Sequence, residues 1–234
     1  MSYVAVDVEA TGLDINRNEV VSIGAIDIET GKKFYVECRP ENFESISEEA
    51  LKVNGFTVEQ LKSIQTTKKE AMEGLIKFLD GFNDAIIVGY CVSFDVTMLY
   101  KMAHSVGIEM NHLPHKCIDN AEIVVQEFYK KRSILGSDII IKRGEKDYVR
   151  SRHALTVLLE MENEPNPHNA LNGAIYAGEI FSRIVMHEPL RSGSSQIRDI
   201  PEKVNTVDVT VWDYMKDCRL VVSEYQRLFD LGKM

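Results

Sequence analysis

The stretch that decides the fold is YVAVDVEATGL, residues 3–13. Its valine-rich first half is typical of a buried β-strand, and the Thr-Gly pair at Thr11 and Gly12 marks the end of that strand. Asp7 and Glu9 stand two positions apart within it. Residues at that spacing in a strand point to the same face. The sequence therefore predicts an apolar strand that projects two carboxylates side by side.

The segments that follow this strand predict the fold class. Two more strands are expected at 19–28 and 32–38, joined by a short Thr-Gly connection that favours a hairpin. Beyond them, helical patterns alternate with short apolar strands. The helices are predicted at 47–53, 68–82, 94–107, 121–131, 152–161 and 170–186, and the strands at 85–90 and 116–119. This order predicts an α/β fold with a mixed central sheet flanked by helices, in which the first three strands are antiparallel and the later ones parallel.

The length and composition predict one main domain with a small appendage. The chain has 234 residues, of which 44% are hydrophobic. We expect the domain to occupy residues 1–188 and a linker with a C-terminal appendage to occupy 189–234. The appendage ends in a helical apolar stripe, which either packs on the parent domain or docks a polymerase or other protein. The stripe consists of Cys218, Val221, Tyr225, Leu228 and Phe229.

Hydropathy and cysteine spacing predict a cytoplasmic protein with no membrane partner. No run approaches the roughly 18 uninterrupted apolar residues that a spanning helix needs. The cysteines are scattered and form no C-x-x-C pair, which is typical of reduced thiols.

The charge distribution leaves the question of a nucleic-acid partner open. A net charge of −9 disfavours binding to phosphates. Residues 130–153, however, carry eight basic and only three acidic side chains. This basic segment is either a phosphate-binding surface or a solvated loop.

Three positions could carry chemistry. Asp7 and Glu9 would repel each other unless a cation lies between them, and Mg²⁺ or Mn²⁺ prefers such oxygen ligands. Asp95 follows an apolar strand and opens a helix, where the helix dipole favours negative charge. His168 precedes another helix, and histidine can exchange protons near neutral pH. Taken singly, each position also has an ordinary interpretation without a catalytic role. Asp7 and Glu9 could be a surface pair, Asp95 a helix N-terminal residue and His168 a surface histidine.

Taken together, three ordered motifs resemble the DEDD superfamily of 3′-to-5′ exonucleases. They are VDVEATGL at 6–13, GYCVSFD at 89–95 and HNALNGA at 168–174. The resemblance runs from about Tyr3 to Met186. It is to the histidine-containing (DnaQ-like) branch, which includes the proofreading epsilon subunit of bacterial DNA polymerase III.

This resemblance implies a ribonuclease H-like fold and hydrolysis of nucleic acid from a single-stranded 3′ end to nucleoside 5′-monophosphates, assisted by two Mg²⁺ or Mn²⁺ ions. By the same resemblance, Asp7, Glu9 and Asp95 would be the metal ligands, and His168 would be the general base for the attacking water. Thr11 and Leu13 would lie against the terminal nucleotide, and Phe94 would pack behind Asp95. The basic segment would contact phosphates along the strand.

The sequence departs from the family pattern most seriously at position 173. The family has a fourth metal-binding aspartate five residues after the histidine, and this chain has Gly173. Neither Asn172 nor Glu179 is an equivalent replacement. Tyr90 and Cys91 also replace the usual His-Asn pair of the second motif. Two interpretations stay open: an exonuclease whose activity is impaired at this position, or a catalytically silent nucleic-acid-binding or scaffold module that kept the fold.

Overall fold

The protein is built around one mixed β-sheet. A computed structural model describes residues 2–109, 113–135, 141–143, 146–148, 159–161, 164, 166–190 and 212–213. The strands are β1 (Ser2–Ala10), β2 (Val20–Asp27), β3 (Lys33–Glu37), β4 (Ala85–Gly89), β5 (Lys116–Asp119), β6 (Ile141–Arg143), β7 (Lys146–Tyr148) and β8 (Trp212–Asp213). The main sheet has the order β3-β2-β1-β4-β5-β8, and β6 and β7 form a separate hairpin.

The strand directions confirm the predicted fold class. β1, β2 and β3 are antiparallel neighbours, and β2 and β3 form the predicted hairpin. β4 pairs in parallel with β1, and β5 pairs in parallel with β4. β8 joins the edge antiparallel to β5, so two residues of the segment predicted to be an appendage extend the main sheet.

Helices cover both faces of this sheet. They are α1 (Glu48–Asn54), α2 (Val58–Ser63), α3 (Lys68–Leu79), α4 (Val92–Ser105), α5 (Asn120–Leu135) and α6 (Ala170–Phe181), and α6 continues into a π-helix (Ser182–Met186). Apolar residues of α3 and α4 pack on one sheet face, and residues of α5 and α6 pack on the other. In the part of the chain described here, no helix is long and apolar enough to cross a membrane.

Local sequence explains most helix starts. Ser47 is the N-cap of α1 and accepts a hydrogen bond from the backbone N–H of Ala50, and Thr67 and Glu70 form a capping box at the start of α3. α2 was not predicted, although Thr57 and Gln60 form a second capping box there. Six residues are too few for a helical period to stand out, which explains the omission.

The basic segment is only partly described. α5 extends to Leu135, and β6 and β7 form a hairpin within the basic segment at 130–153. The side-chain positions of this segment lie outside the described residues, and so does most of the helix predicted at 152–161. The C-terminal apolar stripe also lies outside them.

Two glycines show how tightly α6 docks on the sheet, and they predict opposite stability changes. A Cβ at Gly24 of β2 would overlap the backbone of Ala170 and Leu171 at the start of α6, whereas a Cβ at Gly178 would have ordinary contacts at 3.5 Å. We expect Gly24→Ala to lower the free energy of unfolding by about 2–3 kcal/mol, because the helix must shift. Gly178→Ala should raise it by about 1 kcal/mol, the usual helix gain.

Urea unfolding of both variants checks this pair of predictions. Equal effects at the two positions would mean that the close approach at Gly24 does not determine how α6 packs.

Candidate active site

Asp7 and Glu9 lie on the central strand and face α6. Asp7 is opposite Gly24 in the β1–β2 pair, and Glu9 is opposite Ser22. Ala5, in the same alternating row, packs with the α5 and α6 side of the core. On this face of β1, the side chains are therefore apolar up to Ala5 and become carboxylates at Asp7 and Glu9, near the end of the strand. Asp7 and Glu9 thus share one face of the strand, as their spacing predicted.

Asp95 reaches β1 from the first turn of α4. β4 pairs with β1 only from Ser2 to Ala5, so the backbone further along this edge of β1 has no partner in β4. The backbone N–H of Val8 donates instead to Asp95 Oδ1, at 3.0 Å. Because a buried N–H needs an acceptor, this bond ties the helix to the strand and places the third carboxylate beside the first two. Phe94 is partly buried against the core on the same turn, as predicted for a packing role.

Asp119, at the end of β5, holds the turn that carries Asp95. Its two carboxylate oxygens accept from the backbone N–H groups of Cys91 and Val92, at 3.0 and 3.1 Å. Cys91 has a left-handed backbone and makes no side-chain cap of its own, so Asp119 performs the capping from another strand. The sequence analysis did not single out Asp119, although an aspartate directly after a short strand was the available signal.

The three predicted carboxylates act electrostatically on one another. Burial and then the charges of Asp95, Glu9 and Glu164 raise the pKa of Asp7 well above its ordinary value. Burial and Glu164 raise the pKa of Glu9 to about 7. Burial, together with the charges of Glu9 and Asp119, raises the pKa of Asp95 to about 8 against the opposing hydrogen bond from Val8. The site is therefore a half-buried cluster of acids that repel each other.

His168 lies on the loop just before α6. Its backbone N–H donates to the carbonyl of Val53 at the end of α1, at 2.8 Å. Its Nδ1 lies 3.5 Å from Glu164 Oε2, and its side chain is 20% exposed. The structure thus adds Glu164 to the predicted residues. The available sequence signal was an acid four residues before the histidine, and nothing in the local sequence indicates that the two side chains meet.

Gly173 lies in the first turn of α6, directly against Asp7. The helix predicted to run through Asn172-Gly173 is present, and Asn169 caps its start. A Cβ at position 173 would come closer than van der Waals contact to the Asp7 carboxylate. The Asp7 side chain thus occupies the space where an aspartate side chain at 173 would begin.

Asn172 and Glu179 lie near position 173 in the sequence, but their side chains are directed away from the Asp7 carboxylate. Asn172 is exposed. Glu179 is buried and bound to Arg183, with 2.5 Å between Glu179 Oε1 and Arg183 Nε. Neither side chain can serve the cluster around Asp7.

The two residues expected to contact a nucleotide differ in accessibility. Leu13 is 85% exposed at the end of the β1 segment. Thr11 is fully buried, and its hydroxyl accepts a hydrogen bond from the backbone of Glu19 at 2.9 Å. Leu13 can therefore meet a ligand directly, whereas the Thr11 side chain holds the end of β1 in place from inside.

The cluster suits a divalent cation in its chemistry but not in its present geometry. Carboxylate oxygens are the ligands that Mg²⁺ and Mn²⁺ prefer, and a cation would relieve the repulsion that raises these pKa values. Among the residues that the structure describes, however, no three carboxylate, imidazole or thiol groups are arranged to hold a metal ion. Binding would therefore require side-chain rotation, with Asp7 the first candidate because it leans toward Gly173.

Comparisons with known proteins agree with the family resemblance of the sequence. The profile of a family described as exonuclease matches residues 4–181. DNA polymerase III of the PolC type from Thermotoga maritima is 26% identical over the whole chain, which spans only 15% of that protein. DNA polymerase III subunit epsilon from Aquifex aeolicus is 33% identical over 43% of the chain and 48% of its own length. Ribonuclease T from Haemophilus influenzae is 24% identical over 88% of each chain.

Solved structures show the same fold. Exonuclease I from E. coli, crystallised with a dA16 oligonucleotide, superposes with a TM-score of 0.57 at 14% identity, over 77% of this chain and 40% of its own. The sheet order and this likeness establish a ribonuclease H-like fold.

Proposed function

The chain belongs to the exonuclease family, and on that premise we propose that it hydrolyses single-stranded nucleic acid from the 3′ end to nucleoside 5′-monophosphates. The observation that carries this proposal is the cluster of Asp7, Glu9 and Asp95. Burial and neighbouring acids raise all three pKa values, and Glu164, whose charge acts on two of them, lies 3.5 Å from His168 Nδ1. Raised pKa values at neighbouring acids are a signal of a functional site, and a bound cation would relieve the repulsion between them.

Asp7, Glu9 and Asp95 would hold two Mg²⁺ or Mn²⁺ ions. Bound divalent ions would supply positive charge for the attacking water and for the leaving 3′ oxygen. The protein backbone would position the three carboxylates. The Val8 bond fixes Asp95, and the β1 backbone directs Asp7 and Glu9 to one side.

His168 would accept the proton of the attacking water. Its backbone is tied to Val53, and its side chain is accessible enough for water to reach it. Glu164 lies on the Nδ1 side, which leaves Nε2 for the water. This placement supports a general base whose ring orientation is controlled by a neighbouring acid.

Exposed apolar side chains near the site support nucleotide binding. Among the described residues, the large hydrophobic side chains that stay exposed are Leu13, Tyr35 and Val53. The Val53 carbonyl binds the backbone of His168, and the Tyr35 hydroxyl accepts from Asn169 Nδ2 at 3.1 Å. Leu13 follows the strand that carries Asp7 and Glu9. We propose that they contact the sugar and base of the terminal nucleotides, with Leu13 the main contact.

The names of the relatives suggest which substrates and partners to propose for this chain. Their names include a ribonuclease and DNA polymerase III components, and the E. coli exonuclease I structure contains a DNA oligonucleotide. We therefore propose single-stranded DNA or RNA as substrate and a polymerase as a partner for the 189–234 appendage. The basic segment at 130–153 would contact phosphates, which predicts binding that weakens with salt.

We further propose that Gly173 impairs this activity. A glycine leaves the site one acid short of the resembled motif, and the Asp7 carboxylate leans into the resulting space.

One observation favours a second candidate, a silent nucleic-acid-binding or scaffold module. No group of three potential ligands within the described ranges is arranged to hold a metal ion. The altered second motif, Tyr90-Cys91, points the same way. Such a module would bind single strands without cleaving them.

A nuclease assay tests the proposal. We expect the full chain, with Mn²⁺ or Mg²⁺, to shorten single-stranded DNA or RNA progressively from the 3′ end and to release 5′-monophosphates. Activity should disappear with EDTA. Substrates labelled at the 5′ end would show a ladder of shortened strands, and a blocked 3′ end would prevent it. Binding of the same strands without cleavage, in the wild type and in Gly173→Asp alike, would instead support the silent module.

A further inference from the structure

The helix α1 joins two segments that carry proposed catalytic side chains. Its last residue, Asn54, is only 6% exposed, and its side-chain Nδ2 donates to the backbone carbonyl of Ala10, at 3.2 Å. Ala10 directly follows Glu9 at the end of β1. Val53, the residue before Asn54, accepts at its carbonyl from the backbone N–H of His168, at 2.8 Å. Two consecutive residues of α1 therefore bind the end of β1 and the loop before α6.

The side-chain amide of Asn54 is held at both of its ends. Its Oδ1 accepts from the backbone N–H of Phe56, at 3.2 Å, while its Nδ2 donates to Ala10. Gly55, between Asn54 and Phe56, has a positive φ of 75°, which suits glycine at the end of a helix. Because a buried amide needs a partner for its oxygen and for its N–H groups, these bonds let Asn54 close α1 and attach it to β1.

Two further contacts hold α1 against the same two segments. The backbone N–H of Ser47, at the start of α1, donates to the carbonyl of Thr11, at 2.8 Å. At the other end, a Cβ on Gly55 would lie 2.6 Å from the Cβ of Pro167, so the residue before His168 packs directly on the end of α1. The position of the histidine loop relative to β1 is therefore set through α1.

We propose that Asn54 is a positioning residue for His168. The inference rests on the proposed function, in which His168 accepts the proton of the attacking water. Loss of the bond to Ala10 would loosen the end of α1 and, with it, the carbonyl that holds His168, so the imidazole would shift relative to Asp7 and Glu9. A misplacement of about 1 Å can lower a rate on the order of a hundredfold. In this role Asn54 acts through the histidine rather than on the substrate.

A competing role for Asn54 is to stabilise the end of α1 alone. In that role its loss would lower the melting temperature and leave the rate per folded molecule unchanged at lower temperature. A positioning role lowers the rate of hydrolysis, and only while the imidazole of His168 is present.

The first measurement is amide hydrogen exchange of the full chain in EDTA, followed by NMR. Asn54→Leu keeps a similar volume and removes both polar partners, and we expect the His168 amide to exchange about tenfold faster. The amide of Ile28, which donates to Tyr3 near the opposite end of β1, should change much less. Asn54→Asp keeps the acceptor for Phe56 and, when ionised, has no N–H to donate. It should show the same change, and it carries the test if circular dichroism shows that the leucine variant does not fold.

The second measurement is a cycle of hydrolysis rates from the 3′ end. We expect Asn54→Leu to lower kcat at least about tenfold in the wild type and to change KM by less than about twofold. In the His168→Ala background the same substitution should cause no further loss, because the group that it positions is gone. Asn83→Leu is the matched control, since Asn83 is exposed in the turn before β4. It should leave kcat unchanged.

Three results would overturn the inference while wild-type activity still supports the proposed function. They are an equal acceleration of exchange at His168 and Ile28, an unchanged kcat in Asn54→Leu, and an equal loss of kcat with and without the imidazole. A wild-type chain that releases no nucleotide from the 3′ end would instead overturn the proposed function, and this inference with it.

Discussion

Asp95→Asn is expected to lower exonuclease activity about a thousandfold and, at the same time, to raise the melting temperature of the metal-free protein. The activity loss corresponds to about 4 kcal/mol of lost transition-state stabilisation, within the several kcal/mol that a metal site supplies. Asparagine keeps the oxygen that accepts from Val8, so the link between α4 and β1 survives. The substitution removes mainly the negative charge.

The gain in stability follows from the raised pKa. Burial and neighbouring acids raise the pKa of Asp95 to about 8, from an ordinary value of 3.8. The folded protein then holds this proton more tightly than the unfolded chain does, so the contribution of Asp95 to stability is complete below about pH 4 and is lost as the pH rises toward 8. The difference in melting temperature between variant and wild type should therefore be small at pH 4 and should grow up to pH 8.

Thermal unfolding in EDTA across this pH range checks the expectation, with a nuclease assay on the same samples. Asp80→Asn is the control, because Asp80 is exposed at the end of α3 and shows no contact with the cluster. It should change neither the activity nor the pH profile. An Asp95→Asn protein that is less stable than the wild type at pH 8 would contradict this expectation, because it would mean that the charged carboxylate stabilises the fold.

The sequence predicted the parts of the site that follow from strand and helix periodicity. Asp7 and Glu9 share a face because residues two apart in a strand must, and this needs no knowledge of neighbours. The helix through Gly173 was predictable from the spacing of Ala170, Ala174, Ala177 and Phe181. The mixed sheet followed from the order of the elements.

Contacts between distant segments could not be predicted in this way. Asp119 caps α4 from β5, and the charge of Glu164, on the loop before α6, raises the pKa of Asp7 on β1; in neither case does local sequence specify the interaction. The burial of Thr11 is of the same kind, since it depends on Glu19 and Ser47 in other segments. The need for glycine at position 24 is likewise not evident from the strand sequence, because it comes from the close approach of the start of α6. Such features require the tertiary structure.

Gly173→Asp is the second substitution with a large expected effect, and it acts in the opposite direction. We expect activity in Mn²⁺ to rise about 10–100-fold, because a carboxylate would stand in the first turn of α6, next to Asp7 and near the positive end of the helix dipole. The Asp7 side chain must rotate away to make room. Without metal, one more acid in this cluster should lower the melting temperature.

Mn²⁺ should reverse that loss in stability. A ligand at a hundred times its dissociation constant stabilises the folded state by about 2.7 kcal/mol, so tighter binding by the aspartate variant should give it the larger rise in melting temperature on adding Mn²⁺. Gly173→Asn is the matched control, because it adds a Cβ and nearly the same volume without the charge. It should displace Asp7 equally and gain no activity.

The three proteins, wild type, Gly173→Asp and Gly173→Asn, therefore separate the two interpretations of this glycine. A gain restricted to the aspartate variant would mean that the fold still positions Asp7, Glu9, Asp95 and His168 for hydrolysis and that one carboxylate limits the rate. A folded aspartate variant that binds Mn²⁺ and still releases no nucleotide would place the defect elsewhere, with the changed Tyr90-Cys91 pair as the first suspect. Because the two side chains at position 173 have nearly the same volume and differ in charge, the comparison separates the effect of the carboxylate from the effect of filling the space beside Asp7.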